Sequence, residues 1–206
     1  MGIKVLSAEF LRTATRREEW PPGRRPELAF VGRSNVGKSS MLNALARRKG
    51  LARVSNTPGR TRALQFFDLS VKPSPAVRPL HLRFCDLPGY GHAEVPRAEL
   101  DRWGRMIEEY LWGREDLRAV VLIVDGRHPP APSDREALAF LRGCGRPVVV
   151  AATKLDKLSK SHRFGAVRTA EAELSLPEGS AVPFSAVEGT GSDALWARLL
   201  ELVEAD

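Results

Sequence analysis

The sequence predicts a three-layer α/β domain, in which helices cover both faces of a mostly parallel six-stranded sheet. Two observations carry this prediction. Short apolar runs alternate with segments of helical periodicity along most of the chain. Two of those runs, residues 119–124 and 147–152, are continuous and rich in valine, which is typical of strands buried on both faces.

The individual elements follow from this alternation. The predicted strands span residues 27–32, 64–71, 79–85, 119–125, 147–152 and 180–184, and the predicted helices span residues 38–48, 97–112, 134–142, 162–174 and 190–204. Pro73, Pro75 and Pro79 surround the turn between the second and third strands, which predicts an antiparallel hairpin at a sheet edge. We expect residues 1–26 to form an N-terminal extension and residues 27–206 to form one domain.

The composition indicates the cellular compartment and the kind of partner. Its 206 residues carry a formal net charge of +7, which favours a polyanionic partner. Cys85 and Cys144 have no metal-ligand spacing, so we expect buried, reduced thiols in a cytosolic protein. No segment has the length or apolarity of a transmembrane helix or a signal peptide. We therefore expect a cytoplasmic protein with no membrane partner.

A phosphate-binding loop is predicted at GRSNVGKSS, Gly32 to Ser40, between the first predicted strand and the first predicted helix. The segment from Gly32 to Ser39 matches the pattern G-x-x-x-x-G-K-[ST] in full. Glycines let several backbone N–H groups converge, and the helix N-terminus adds unpaired donors. In such a loop Lys38 would reach the β- and γ-phosphates, and the Ser39 hydroxyl would bind Mg²⁺.

A second motif, DLPG, follows the predicted strand that ends at residue 85. Ligands of parallel sheets bind at the carboxyl ends of the strands. Asp86 at such an end would hold Mg²⁺, and the backbone N–H of Gly89 would contact a γ-phosphate. A contact made only with the triphosphate is how a nucleotide-dependent loop senses hydrolysis.

A third motif, TKLD, selects the base. Asp156 would accept hydrogen bonds from the ring N1–H and the exocyclic amine of guanine, and adenine lacks this pair of donors on that edge. The Lys154 stem would lie over the base, and the backbone of Ser185 and Ala186 would contact the guanine O6. Between the first two motifs, the spacing alone leaves open whether Thr57 or Thr61 brings a hydroxyl to Mg²⁺.

Six segments in this order resemble one protein family: GRSNVGKSSMLNAL, TPGRTRALQFFDL, DLPGYGHAEV, VDGRHPP, TKLDKLSK and FSAVEGTG. The chain resembles the EngB family of ribosome-biogenesis GTP-binding proteins, in the TrmE–Era–EngA–EngB–septin-like branch of translation-factor-related GTPases. The resemblance spans roughly residues 27–193. It implies a Ras-like P-loop GTPase fold, GTP or GDP with Mg²⁺ as cofactors, and a role in assembling the large ribosomal subunit.

The resemblance also implies the site residues. The nucleotide would contact Gly32, Arg33, Ser34, Asn35, Val36, Gly37, Lys38, Ser39, Gly59, Arg60, Thr61, Arg62, Ala63, Asp86, Leu87, Pro88, Gly89, Thr153, Lys154, Leu155, Asp156, Phe184, Ser185 and Ala186. The implied Mg²⁺ ligands are Ser39 and Thr61.

The residue after the DLPG glycine bears on hydrolysis. Ras-type enzymes use a glutamine there to orient the attacking water, whereas this chain has Tyr90. A phenol is a poor base at neutral pH. We therefore expect slow intrinsic hydrolysis that a partner or an ion activates, and the residues do not identify a catalytic group. Asn35 is a candidate K⁺ ligand, as in related potassium-activated GTPases.

The expected partners are ribosomal particles or ribosomal RNA, without DNA, and we expect a monomer. The arginines of residues 12–25, together with Arg47, Arg48, Lys49, Arg53, Arg60 and Arg62, would form a positive face for such a partner. Two alternatives stay open at this level. One is a signalling GTPase that acts through protein effectors, and the other is a P-loop small-molecule kinase.

Overall fold

The computed structural model describes residues 3–52, 63–74, 76–90 and 97–205, and of residues 97–103 it describes only the backbone. The strands are β1 (Lys4–Ala14), β2 (Glu27–Gly32), β3 (Leu64–Lys72), β4 (Leu80–Asp86), β5 (Leu117–Asp125), β6 (Val148–Thr153) and β7 (Val182–Pro183). The α-helices are α1 (Lys38–Leu45), α2 (Arg97–Gly113), α3 (Pro132–Gly143), α4 (Lys160–Glu173) and α5 (Ser192–Glu204). Short 3₁₀ turns occupy Arg17–Glu19 and Leu155–Lys157.

The strands form one sheet in the order β1-β3-β4-β2-β5-β6-β7. The pairs β1–β3 and β3–β4 are antiparallel, and the pairs from β4 through β7 are parallel. This arrangement confirms the predicted α/β class and its mostly parallel sheet. The predicted number of six strands was wrong, because the described part of the sheet has seven.

The strand that the sequence did not reveal is β1. It pairs with β3 from Lys4↔Lys72 to Ala14↔Leu64, with register shifts at Val5/Ser7 and Phe10/Arg12. Only two of its eleven residues, Ala8 and Ala14, are buried. The shifts break the alternation by which a half-buried strand is recognised. The predicted β3–β4 hairpin is present, but β1 covers it, so it does not lie at the sheet edge.

Two apolar layers cover the faces of the sheet. Strand β5 shows the division, because Val121 and Ile123 point to the layer that contains α1 and α5, whereas Val120 and Leu122 point to the layer of α2, α3 and α4. In the first layer the Trp196 ring of α5 stacks on Phe84 with ring centroids 5.5 Å apart. This two-sided burial explains the continuous apolar run that predicted β5.

A buried polar cluster lies at the amino end of β2, around Glu27, which is fully buried. Its carboxylate accepts hydrogen bonds from the Tyr110 hydroxyl at 2.8 Å, from Arg114 Nε at 2.9 Å and Nη2 at 2.5 Å, and from Arg83 Nη1 at 3.0 Å. The two guanidinium groups also donate to the carbonyls of Pro21 and Pro22. The cluster therefore fastens the segment before β2 to the domain.

These contacts, together with β1, join the first 26 residues closely to the rest of the fold. The division at residue 26 stays a prediction. Cys85 and Cys144 are both buried and free, as expected. Within the described ranges, every helix is too short or too polar to cross a bilayer.

Candidate functional site

The loop from Gly32 to Gly37 joins the end of β2 to the start of α1, as the sequence predicted. Gly37 precedes α1 with φ of 105°, a left-handed conformation that strains any residue with a Cβ. Asn35 also has positive φ, at 61°. Lys38 and Ser39 follow as the first two residues of the helix. The loop therefore turns sharply into a helix N-terminus, where backbone donors are unpaired.

An ion pair joins this loop to β4. The Lys38 ammonium contacts the Asp86 carboxylate, and both side chains are almost fully buried, with exposures of 10% and 3%. Burial raises the pKa of Asp86, and the charge of Lys38 opposes that shift. The structure thus brings together the cation of the first motif and the carboxylate of the second.

The DLPG loop, Asp86 to Gly89, lies directly against the phosphate loop. Tyr90 N donates to the Gly32 carbonyl at 3.3 Å, and Ser34 N donates to the Tyr90 carbonyl at 3.2 Å. A Cβ at Gly89 would lie 3.2 Å from both the Gly32 carbonyl oxygen and Ser34 Oγ. These distances are shorter than ordinary van der Waals contact, so a side chain here would require the two loops to shift slightly apart.

The TKLD motif supports the phosphate loop from the other side. Thr153 Oγ1 donates to the Val36 carbonyl at 2.7 Å. Lys154 Nζ donates to the Asn35 carbonyl at 2.5 Å and to Asp125 Oδ2 at 2.9 Å. The first two residues of the motif therefore fix the position of the phosphate loop relative to β6.

Asp125 is a site residue that the sequence reasoning missed. Burial raises its pKa, but hydrogen bonds from Arg127 and Lys154 outweigh burial and leave the pKa below the ordinary aspartate value. The carboxylate stays ionised and orients the Lys154 ammonium. The signal was present, because Asp125 ends β5 at the same sheet edge as the predicted motifs.

The residues predicted to read the base also lie together. Ser185 Oγ donates to Asp156 Oδ1 at 2.8 Å, and Ser185 is fully buried. Phe184 and Leu155 are buried beside them, and Ala186 is partly buried. The structure therefore brings the fourth residue of TKLD to the loop after β7, as the sequence predicted.

One predicted segment cannot be placed. Gly59, Arg60, Thr61 and Arg62 lie outside the described residues, so the second predicted Mg²⁺ ligand stays a prediction. Ala63, the last residue of that predicted segment, is buried just before β3.

Tyr90 has a partner that the sequence did not reveal. Its hydroxyl donates to Asp134 Oδ1 at 2.8 Å, and Asp134 is buried in the first turn of α3, where Oδ2 also accepts from Ala131 N at 2.8 Å. Burial, with the neighbouring Asp134 charge, raises the pKa of Tyr90 far above 10. The phenol is therefore neutral at physiological pH and serves as a hydrogen-bond donor that ties the DLPG loop to α3.

We expect Tyr90→Phe to lower the single-turnover rate of GTP hydrolysis by less than about tenfold, because one hydrogen bond contributes about 1 kcal/mol and a neutral phenol is not a base. Single-turnover kinetics at saturating enzyme measure this rate. A loss of about a hundredfold or more would show that the hydroxyl takes part in the reaction.

Comparison with known proteins identifies the family. The protein-family description "50S ribosome-binding GTPase" matches residues 27–154. A protein of Anaeromyxobacter sp. (strain K), named "Probable GTP-binding protein EngB", is 70% identical over 202 residues, which cover 98% of this chain and 94% of the relative. The chain belongs to the EngB family of 50S ribosome-binding GTPases. It therefore binds GTP and hydrolyses it, and the alternative of a small-molecule kinase is not supported.

More distant relatives in the EngB family match almost as completely. The Geobacter sulfurreducens protein of the same name is 46% identical, with 96% of this chain and 91% of the relative covered. Among solved structures, a probable GTP-binding protein engB superposes with a TM-score of 0.65 at 25% identity, covering 87% of this chain and all of that one. Era, in complex with MgGDPNP and a segment of 16S ribosomal RNA, superposes with a TM-score of 0.69 at 25% identity over 88% of this chain and 57% of Era.

Proposed function

We propose that this protein is a GTP-hydrolysing switch that assists assembly of the large ribosomal subunit in the cytoplasm. The observation that carries the proposal is the convergence of the Lys38–Asp86 ion pair and the Asp156–Ser185 hydrogen bond on one edge of the sheet. The ion pair lies where a phosphate chain would bind, and the hydrogen-bonded carboxylate lies where a base would bind. The family is described as 50S ribosome-binding. Era shows that a related fold can bind a nucleotide and ribosomal RNA together.

The nucleotide would lie along the edge where β2, β4, β5 and β6 end. In this assignment Gly32 to Ser39 bind the phosphates, Asp86 to Gly89 sense the γ-phosphate, and Thr153 to Asp156 with Phe184 to Ala186 hold the guanine. The hydrogen bonds from Thr153 and Lys154 to the phosphate loop support a shared role, because they set the distance between the phosphate and base positions.

The residues fit Mg²⁺. Ser39 offers a hydroxyl in the first turn of α1, and Asp86 offers a carboxylate that Lys38 holds at the neighbouring strand end. Oxygen donors of this kind, completed by phosphate oxygens and water, are what Mg²⁺ prefers. When bound, the ion neutralises charge on the β- and γ-phosphates. Thr61 is proposed as the second ligand when the triphosphate is present.

We expect Ser39→Ala to lower the affinity for both GDP and GTP by about tenfold when Mg²⁺ is present, because one ligand oxygen of the ion is lost. Thr61→Ala should weaken the binding of a non-hydrolysable GTP analogue and leave GDP unchanged. Calorimetric titration with and without Mg²⁺ separates these effects. Equal weakening of GDP and the GTP analogue by Thr61→Ala would remove Thr61 as a triphosphate-specific ligand.

A basic face is the proposed binding surface for ribosomal RNA. Arg47, Arg48 and Lys49 are exposed after α1, and Arg48 Nη1 donates to the Ala8 carbonyl of β1. This contact places the end of α1 beside β1, which carries the exposed Arg12. Not every predicted member is available, because Arg25 forms an ion pair with Asp68 at 2.7 Å. RNA recognition by such a face would follow backbone and shape.

Hydrolysis measured with ribosomal particles tests this function. We expect isolated large subunits to raise the single-turnover rate by about tenfold or more, whereas small subunits should not, because the proposed activating group comes from the partner or an ion. Stimulation by small subunits alone would assign the protein to the small subunit instead. No response to either particle, with retained GTP binding, would favour a signalling GTPase.

The contribution of K⁺ is measured in the same assay. Asn35 is the proposed ligand, since it lies within the loop that is proposed to bind the phosphates. K⁺ in place of Na⁺ should accelerate hydrolysis in the wild type and not in Asn35→Ala. Equal rates in the two salts would exclude the ion as an activator.

A further inference from the structure

The loop that follows β7, residues 185–190, is tied to α4 by a bidentate ion pair. Arg163 Nη1 lies 2.6 Å from Glu188 Oε2, and Arg163 Nη2 lies 2.7 Å from Glu188 Oε1. Arg163 Nε also donates to the Leu158 carbonyl at 3.2 Å, which fixes the plane of the guanidinium. Two parallel N–H···O bonds define the position of a carboxylate more sharply than a single charge contact does.

This ion pair connects to the proposed base-reading carboxylate through one side chain. The backbone N–H of Glu188 donates to Ser185 Oγ at 3.1 Å, and that hydroxyl donates in turn to Asp156 Oδ1 at 2.8 Å. Ser185 N also donates to the Thr190 carbonyl at 3.0 Å, which closes the loop. The position of Glu188 therefore determines where the Ser185 hydroxyl points and which Asp156 oxygen it occupies.

We propose that the Arg163–Glu188 ion pair determines base specificity by positioning Asp156 through Ser185. A hydrogen bond from Ser185 to one Asp156 oxygen directs the carboxylate, so that its free lone pairs face the two guanine donors. Neither member of the ion pair needs to touch the nucleotide, so both are positioning residues. The inference rests on the proposed role of Asp156 in reading guanine.

The arrangement differs from an ordinary surface ion pair. Exposed pairs with a single contact contribute little to stability, because solvent screens them. The pair lies at the surface, with the Arg163 and Glu188 side chains 23% and 38% exposed, but it is bidentate. Hydrogen bonds from Arg163 lower the pKa of Glu188, which keeps the carboxylate charged. We therefore expect the ion pair to affect nucleotide discrimination and to contribute little to the free energy of unfolding.

Comparing GDP with IDP measures that discrimination. Hypoxanthine keeps the ring N1–H and lacks the exocyclic amine, so the ratio of the two affinities reports how well the carboxylate meets the amine. We expect Arg163→Ala and Glu188→Ala each to lower this ratio by about fivefold, because a misdirected carboxylate loses most of one charge-assisted hydrogen bond. The double variant should lose no more than either single variant, since both remove the same contact.

Two further variants distinguish positioning from a general loss of structure. Glu173→Ala removes another surface ion pair, Arg135–Glu173 at 2.8 Å, and should leave the ratio unchanged. The charge reversal Arg163→Glu with Glu188→Arg should restore part of the ratio. Equal weakening of GDP and IDP in the single variants, or no change in either affinity, would overturn the proposal. If Asp156 did not read guanine at all, the wild-type protein itself would bind GDP and IDP equally.

Discussion

Asp156→Asn is expected to lower GTP affinity by about a hundredfold or more and to raise the affinity for xanthosine triphosphate, because the amide presents a donor where the guanine amine needs an acceptor. In the structure the carboxylate has a defined orientation, since Ser185 Oγ occupies Oδ1. Xanthine carries a carbonyl in place of the amine, which the new amide can bind. Calorimetric titration with each nucleotide measures both changes in affinity.

A matched substitution separates this effect from a change in net charge. Asp193→Asn makes the same exchange of one carboxylate oxygen for an amide nitrogen at an exposed position in the first turn of α5, and it should leave both affinities unchanged. If Asp156→Asn bound GTP as tightly as the wild type, the carboxylate would not read the base. The proposed guanine site would then need another specificity residue.

The largest expected effect on stability comes from Glu27→Ala, which should lower the free energy of unfolding by about 3–5 kcal/mol. The reason is that Glu27 is fully buried and accepts hydrogen bonds from Arg83, Tyr110 and Arg114. Removing the carboxylate takes the closest counter-charge from the nearly buried Arg114 and one of two counter-charges from the nearly buried Arg83, which keeps Asp68 at 2.7 Å. Urea-induced unfolding, followed by tryptophan fluorescence, measures the change.

Glu109→Ala is the control for Glu27→Ala. It removes a carboxylate that is 47% exposed and 3.9 Å from Arg17, so its cost should stay below about 1 kcal/mol. A cost for Glu27→Ala as small as that of Glu109→Ala would mean that the buried cluster contributes no net stability. Because the cluster lies at the amino end of β2, away from the phosphate loop, nucleotide affinity of the folded variant should be unchanged.

The relative placement of the motifs was largely predictable from the sequence because each motif is local. The phosphate loop, DLPG and TKLD each follow a strongly apolar strand, and parallel strands bring their carboxyl ends to one edge. The contacts Lys38–Asp86 and Ser185–Asp156 are consequences of that topology. What the motifs did not reveal were the partners that orient them, such as Asp125 and Asp134. Asp134 acts through a long-range contact with Tyr90 that no short pattern encodes. The position of Asp125 at the end of β5 was a usable signal, but its contact with Lys154 joins two separate strand ends.

The prediction of strands from the sequence succeeded where a strand is buried on both faces and failed for β1, which is not. Strands β5 and β6 are buried on both faces and show as continuous apolar runs. Strand β1 lies at the sheet edge with two register shifts, so its sequence has no steady alternation. Helix α1 ends at Leu45, three residues earlier than predicted, and Arg47 then takes positive φ. The sequence predicted a longer helix because alanine and arginine, which follow Leu45, have high helix propensities.

The basic face proposed to bind ribosomal RNA can be tested by substituting its residues. We expect the binding constant for large subunits to fall with rising salt, and Arg47→Ala with Lys49→Ala should make the slope shallower by about 1.5 units. Arg48 is left unchanged because it contacts β1. The control is Arg105→Ala with Arg142→Ala, which removes the same charge from exposed positions on α2 and α3 and should leave the slope unchanged.

Co-sedimentation with large ribosomal subunits, compared between a non-hydrolysable GTP analogue and GDP, tests the central claim most directly. We expect wild-type protein to sediment with the subunits when the analogue is bound and to remain in the supernatant with GDP. The Asp156→Asn protein should require the xanthosine analogue for the same result. Equal sedimentation of the wild type with both nucleotides would contradict the claim that this guanine site controls ribosome binding.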